Sequence, residues 1–139
     1  MEPLDRMEGQ CLCGAVSIQT GRRDRLDVCH CGMCRRWGGG PMLAVHCGKD
    51  SQITGLEHVK VYISSDWAER GFCDTCGTHL FYKLKGSDEY VFTAGLFQQG
   101  ADFVMGSQIF IDKKPEYYTF AEQTPVMTEA EVFEKYGPP

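Results

Sequence analysis

The sequence predicts a mainly β fold pinned by metal, and three observations carry that prediction. Short β-rich runs recur along the chain, each bounded by Gly, Ser, Asp or Lys. No long segment with a 3.6-residue apolar period precedes the C-terminus, and seven of the eight cysteines fall in three tight clusters. Such a pattern implies short antiparallel strands in a sheet sandwich or open barrel, without βαβ units. At 139 residues and 42% apolar content, the chain suits one domain over 1–139 that is long enough to bury a core.

In chain order, Ala15 to Gln19 alternates with Val16 and Ile18 on one face. Met42 to Cys47 is a second β-rich run, and Val59-Lys60-Val61-Tyr62-Ile63 shows the clearest alternation. His79 to Leu84, Tyr90 to Ala94 and Gln108 to Ile111 complete the predicted strands, with His79 entering its strand directly from a cysteine pair. One helical turn is expected over Met33 to Trp37, broken by Gly38-Gly39-Gly40-Pro41. These glycines serve either as a flexible turn or as a close backbone approach to a ligand. A C-terminal helix is signalled by the capping box Thr128-Glu129-Ala130-Glu131, by the stripe Val132, Phe133 and Tyr136, and by the stop Gly137-Pro138; it is expected to pack on the sheet.

The chemistry concentrates in the cysteines. Cys29-His30-Cys31-Gly32-Met33-Cys34 places three thiols within six residues; Cys11-Leu12-Cys13-Gly14 lies upstream and Cys73-Asp74-Thr75-Cys76-Gly77 downstream. Zinc takes four ligands in tetrahedral geometry, and a tight turn brings two thiols together at little cost. A glycine after the second ligand suits such a knuckle because it tolerates φ > 0. The simplest grouping therefore joins Cys11, Cys13, Cys73 and Cys76 in a closed structural zinc site. Cys29, Cys31 and Cys34 then form a three-ligand centre with an open position, the expected catalytic site. Cys47 stands apart, as a small buried hydrophobe or as a fourth ligand to the central cluster. A disulfide framework is the competing expectation. The metal-ligand spacing and the lack of an apolar leader run in Met1 to Arg6 argue against it.

The formal net charge is −5 with every thiol neutral. Seven metal-bound thiolates and two zinc ions bring it to about −8, which disfavours nonspecific nucleic-acid binding. No apolar stretch approaches the roughly 20 residues needed to span a bilayer, so a cytoplasmic protein with no membrane partner is expected.

The ordered motifs Gly9-x-Cys11-x-Cys13-Gly14, Cys29-His30-Cys31-x-x-Cys34-Arg35 and Arg70-x-Phe72-Cys73-x-x-Cys76-Gly77, followed by Ile109-Phe110-Ile111-Asp112-Lys113-Lys114-Pro115, resemble the glutathione-dependent formaldehyde-activating family, also called the centromere-protein-V-type domain. The resemblance covers nearly the whole chain. It implies a β-tent of mostly antiparallel strands, a structural zinc on Cys11, Cys13, Cys73 and Cys76, and a labile catalytic zinc on Cys29, Cys31 and Cys34. The activity it implies is that of a carbon-sulfur lyase joining glutathione to formaldehyde as S-hydroxymethylglutathione. The chain departs from the family pattern at Gln108, where histidine is often expected, and at Gly95-Leu96-Phe97-Gln98; both places are expected near the pocket.

Charge suggests how such a centre would work. A zinc held by three thiolates carries a net −1, which makes it a weak generator of hydroxide and better suited to holding a substrate thiol as thiolate. The carboxylates of glutathione require cations, and Arg35 and Arg36 beside the cluster are the expected ones, with Lys49 and Arg70 behind them and Gly39 as backbone contact. Trp37 and Phe72 are expected in the core. His30 is read as orienting the loop, donating to a substrate or facing solvent, and His46 and His58 carry no pattern. A second class of function is a zinc-stabilised binding module for a small molecule or protein, which would gain if Cys47 closed the central cluster.

Overall fold

The computed structural model describes residues 6–98 and 102–137. Its strands are β1 (Arg6–Gln10), β2 (Ser17–Gly21), β3 (Arg25–Cys29), β4 (Met42–Gly48), β5 (Gln52–Thr54), β6 (Val59–Ile63), β7 (Ala68–Cys73), β8 (His79–Leu84), β9 (Tyr90–Thr93), β10 (Val104–Ile109) and β11 (Val126–Met127). Two α-helices, α1 (Gly32–Gly38) and α2 (Glu129–Tyr136), complete the regular structure together with short 3-10 turns. The fold is mainly β with a short C-terminal helix, as expected. No helix among the described residues is long and apolar enough to cross a membrane.

The strands form a small sheet in the order β1-β2-β5 and a large one in the order β11-β10-β3-β4-β9-β8-β7-β6. Most pairings are antiparallel, as expected, and β10 lies parallel to both β3 and β11. The parallel pair matters for the site, because it sets Ile109 opposite Cys29 and Gln108 opposite Val28. Period-2 alternation makes the packing legible where a strand has one wet face. Val16 and Ile18 are fully buried, and they meet Met7, Val45, Leu80, Phe81 and Phe92 in a core shared by both sheets. Burying one such side chain is worth about 1.5–3 kcal/mol, so these residues weld the small sheet to the large one. The clear alternation of β6 does not mark a buried face. This strand is the outer edge of the large sheet, and Val61, Tyr62 and Ile63 are all exposed.

Two local devices shape the region around the cysteines. In β7, Gly71 pairs with Phe81, whose ring lies where a side chain on Gly71 would stand, so a Cβ there would run into the ring. Gly71→Ala should therefore cost about 1–3 kcal/mol by overpacking. Urea denaturation checks this; the midpoint should fall at unchanged slope, and an unchanged midpoint would show that the ring has room to move. At the other end of the fold, Thr128 Oγ1 accepts from the Glu131 N–H at 3.2 Å while Glu131 Oε1 accepts from the Thr128 N–H at 2.8 Å, the reciprocal cap expected for α2. Val132 is buried and Phe133 packs edge-on against Phe110, but the helix leans on β11 and the turn before it more than on the broad face of a sheet. Pro138, expected as the stop, lies outside the described residues.

Candidate metal centres

All eight cysteines are free, and seven of them gather into the two groups expected from spacing: Cys11, Cys13, Cys73 and Cys76 in one, Cys29, Cys31 and Cys34 in the other. Within each group the sulfurs lie within 4.8 Å of one another. Four sulfurs bonded to one zinc at ~2.3 Å and tetrahedral angles stand about 3.8 Å apart. The Cys11–Cys13 and Cys13–Cys73 sulfurs are 3.6 and 3.8 Å apart, so the first group fits a closed four-thiolate ion. An all-sulfur donor set selects a soft or borderline metal over magnesium or calcium.

The turns that present these sulfurs follow from the glycines. Gly14 and Gly77 take φ of 82° and 81°, and their N–H groups bond back to the Cys11 and Cys73 carbonyls. Other donors reach the sulfurs themselves. The Val16 N–H donates to Cys11 Sγ, and the Thr78 hydroxyl lies 3.1 Å from Cys76 Sγ while accepting from the Leu12 N–H. The Thr78 contact draws the Cys76 thiol down to about 5, so a ligand is already poised as thiolate at neutral pH. Thr78 was missed in the sequence, although a hydroxyl two residues beyond a knuckle cysteine is the available signal.

The second group is built by the end of β3 and the start of α1. Cys29 closes the strand, Cys31 is the helix N-cap, and its sulfur accepts from the Cys34 N–H at 3.3 Å. The three thiols oppose one another's ionisation. Hydrogen bonds from Cys29 and Cys34 hold Cys31 down at about 2, and the same interaction, seen from Cys29, pushes its thiol far up. One thiolate is thus stable alone, and a cation is what would let all three ionise. Cys47 takes no part. It is fully buried in the core among Met7, Val45 and Phe92, where burial raises its thiol to about 11. The three-sulfur group therefore keeps one corner for something other than a protein sulfur.

His30, between two of these cysteines, does not face solvent. It is fully buried, with Nε2 2.9 Å from Gln108 Oε1 and Nδ1 2.7 Å from the Tyr118 hydroxyl. The Gln108 oxygen only accepts, so Nε2 carries the proton and Nδ1 accepts from Tyr118; burial lowers the imidazole pKa and keeps this neutral form. Gln108, singled out as a departure, is thus the residue that fixes the loop's histidine, and its amide N–H goes on to Thr124 at 3.3 Å. The His30 N–H donates to the Ile109 carbonyl across the parallel β3–β10 pair, and Arg35 Nε donates to the His30 carbonyl at 3.0 Å. Both ends of His30 are held.

A cavity of about 1310 Å³ opens between the two sheets. Cys34 stands in its wall with Trp37, Arg70 and His79, and Gly95, Leu96 and Gln98 line it too. Trp37 stacks on His79 at 4.5 Å and on Tyr62 at 6.0 Å, so it forms cavity wall, contrary to its expected place in the core. Phe72 packs edge-on against Trp37 without lining the cavity. Of the expected cations, Arg35 gives its Nε to the His30 carbonyl, Arg36 and Lys49 are exposed and line no part of the cavity, and Arg70 lines it, as does Arg6, which was not singled out. Gly39 caps α1 at φ 85° between Gly38 and Gly40, both of which line the cavity.

Comparison with known proteins agrees with this geometry. Residues 6–113 match the family model described as glutathione-dependent formaldehyde-activating enzyme. The chain is 36% identical over 131 residues to a Schizosaccharomyces pombe protein named an uncharacterized lyase, covering 93% of this chain and 96% of that one. It also resembles the crystal structure of a Rhodobacter sphaeroides protein, with TM-score 0.54 and 26% identity over 67% of this chain and 89% of the other.

Proposed function

The chain belongs to the glutathione-dependent formaldehyde-activating family, and on that premise we propose that it is a carbon-sulfur lyase-type enzyme acting on the adduct of a carboxylate-bearing thiol, such as glutathione, with a small aldehyde. The observation that carries this reading is the three-thiol centre, whose Cys34 stands in the wall of a large cavity. When bound there, zinc supplies a positive charge that favours the deprotonated form of a substrate thiol. In the synthetic direction the thiol sulfur bonds to the carbonyl carbon and the proton released from the thiol ends on the former carbonyl oxygen. Nothing is oxidised or reduced.

The residues of the chain then bind and orient. A second zinc on Cys11, Cys13, Cys73 and Cys76 serves the fold alone. Trp37 and His79 offer a flat stacked wall beside Cys34 for the uncharged part of the thiol. Gly39 and Gly40 leave open space for a ligand to approach the backbone, since a Cβ on either would meet nothing within 4 Å. Arg6 stands on the cavity wall, 4.0 Å from Asp50, as a cation for a substrate carboxylate, and Arg36, exposed on α1 outside the wall, would meet only a carboxylate that projects from the cavity mouth.

Glutathione binding should release close to one proton per site near neutral pH and should slow removal of the more labile zinc by a chelator. Calorimetry in two buffers of different ionisation heat counts the proton. A thiol of similar size without carboxylates should bind more weakly by about 1–3 kcal/mol. S-methylglutathione cannot form a thiolate and is the control. If it binds as tightly and releases as many protons, the thiol chemistry is absent and the protein is a binding module.

A further inference from the structure

We propose that Arg70 is the countercharge of the three-cysteine centre, a positioning residue that acts through Cys34 to set how firmly that centre holds its metal. The proposal rests on the reading that Cys29, Cys31 and Cys34 bind one.

Arg70 sits in β7 and is 3% exposed. One Nη2 N–H donates to Cys34 Sγ at 3.6 Å, the guanidinium carbon lies 5.1 Å from the centre of the Tyr82 ring, and Nε has no hydrogen-bond partner. Among the described residues no carboxylate pairs with it. Glu69, its neighbour in the strand, points to the opposite face and is bound by Lys83. A guanidinium does not shed its proton, so a buried one must be balanced by an anion. Among the described residues the group that can supply this anion by direct contact is the Cys34 sulfur, as a metal-bound thiolate.

Charge then links the arginine to metal loading. Three thiolates around a divalent ion carry −1, which Arg70 neutralises across the Cys34 contact. Without the ion the three sulfurs do not all ionise, and the Cys34 sulfur that Arg70 touches then offers it a neutral thiol in place of an anion. Loading the centre and burying Arg70 therefore favour each other. Among the described residues no such cation contacts the four-cysteine centre, whose sulfurs contact the Val16 N–H and the Thr78 hydroxyl. The two centres differ in what stabilises their charge, and a substitution at Arg70 should separate them.

Zinc-loaded protein titrated with a chromophoric chelator at fixed pH makes the test, on the wild type, Arg70→Gln and Arg70→Lys. The wild type should show a tight and a weaker zinc. Arg70→Gln should lower the affinity of the weaker one by about 10- to 100-fold while leaving the tight one unchanged, as expected for loss of a group that supports a ligand. Arg70→Lys, which keeps the charge, should stay within a few-fold of the wild type. With cobalt(II) in place of zinc, the thiolate-to-metal absorption of the weaker centre should fall in Arg70→Gln alone. Weaker-site affinity within twofold of wild type in Arg70→Gln overturns the proposal. So does Arg70→Lys as weak as Arg70→Gln, which would make shape and not charge decisive. Loss of both zincs from Arg70→Gln would show that Arg70 serves folding and also overturns it. A wild type that binds one zinc only would instead overturn the reading of the three-cysteine centre, and this proposal with it.

Discussion

Cys76→Ser is expected to abolish stable folding. The four sulfurs of its centre come from the turn after β1 and from the end of β7 with the turn that follows it, Cys13 and Cys73 being separated by 60 residues in sequence. A metal there fastens the small sheet to the large one at the point where Cys11 and Cys73 enter the shared core. Serine is a poor zinc ligand and cannot replace the thiolate that Thr78 supports. A structural zinc contributes on the order of 10 kcal/mol to folding, whereas a whole domain of this size is stable by roughly 5–15 kcal/mol. Losing the ion therefore removes most of the stability at once, and chelation of the native protein should have the same effect. Soluble yield and a thermal melt decide it. A variant that stays soluble and melts at the wild-type temperature would remove the structural assignment.

The parts of this fold legible in the sequence are those governed by local chemistry. Sulfur is a soft donor, and a turn places two sulfurs together by covalent geometry, so the division of seven cysteines into a set of four and a set of three could be read without the fold. Gly14 and Gly77 declared their conformation for the same reason. Strands with one wet face were readable too. Those missed, β1, β3, β5, β7 and β11, hide their pattern: β1 turns only Met7 and a glycine inward, and β7 carries Glu69, Arg70 and Gly71 in its middle, a run that reads as loop until the arginine is seen to be buried.

What sequence could not supply is partnership at long range. His30 was ambiguous because its two partners, Gln108 and Tyr118, lie 78 and 88 residues away, and only the parallel pairing of β3 with β10 brings them to it. Arg35 and Arg36 drew attention by adjacency to the cluster. Yet a helix of this length sends successive side chains in different directions, and the cation that hydrogen-bonds Cys34 is 36 residues further on. Trp37 was misplaced by the same limit, since a tryptophan in the wall of a cavity and one in a core look alike in composition.

Cys31→Ser should separate chemistry from folding. Cys31 is the N-cap of α1, and its sulfur accepts the Cys34 N–H. Serine is itself a preferred N-cap, so its hydroxyl can take over that hydrogen bond while the thiolate is lost. His30 remains held by Gln108 and Tyr118, Arg35 still ties the loop through the His30 carbonyl, and the four-cysteine centre is untouched. The change in stability should therefore stay within about 1 kcal/mol. The centre itself should fail, because two sulfurs are too few to hold zinc against water, and activity on a thiol-aldehyde adduct should fall to background. Metal analysis should find one zinc per chain where the wild type has two, with a thermal melt close to wild type. Two zincs retained, or a melt as poor as that expected of Cys76→Ser, would mean that the two centres do not divide structure from reaction in the way their geometry suggests.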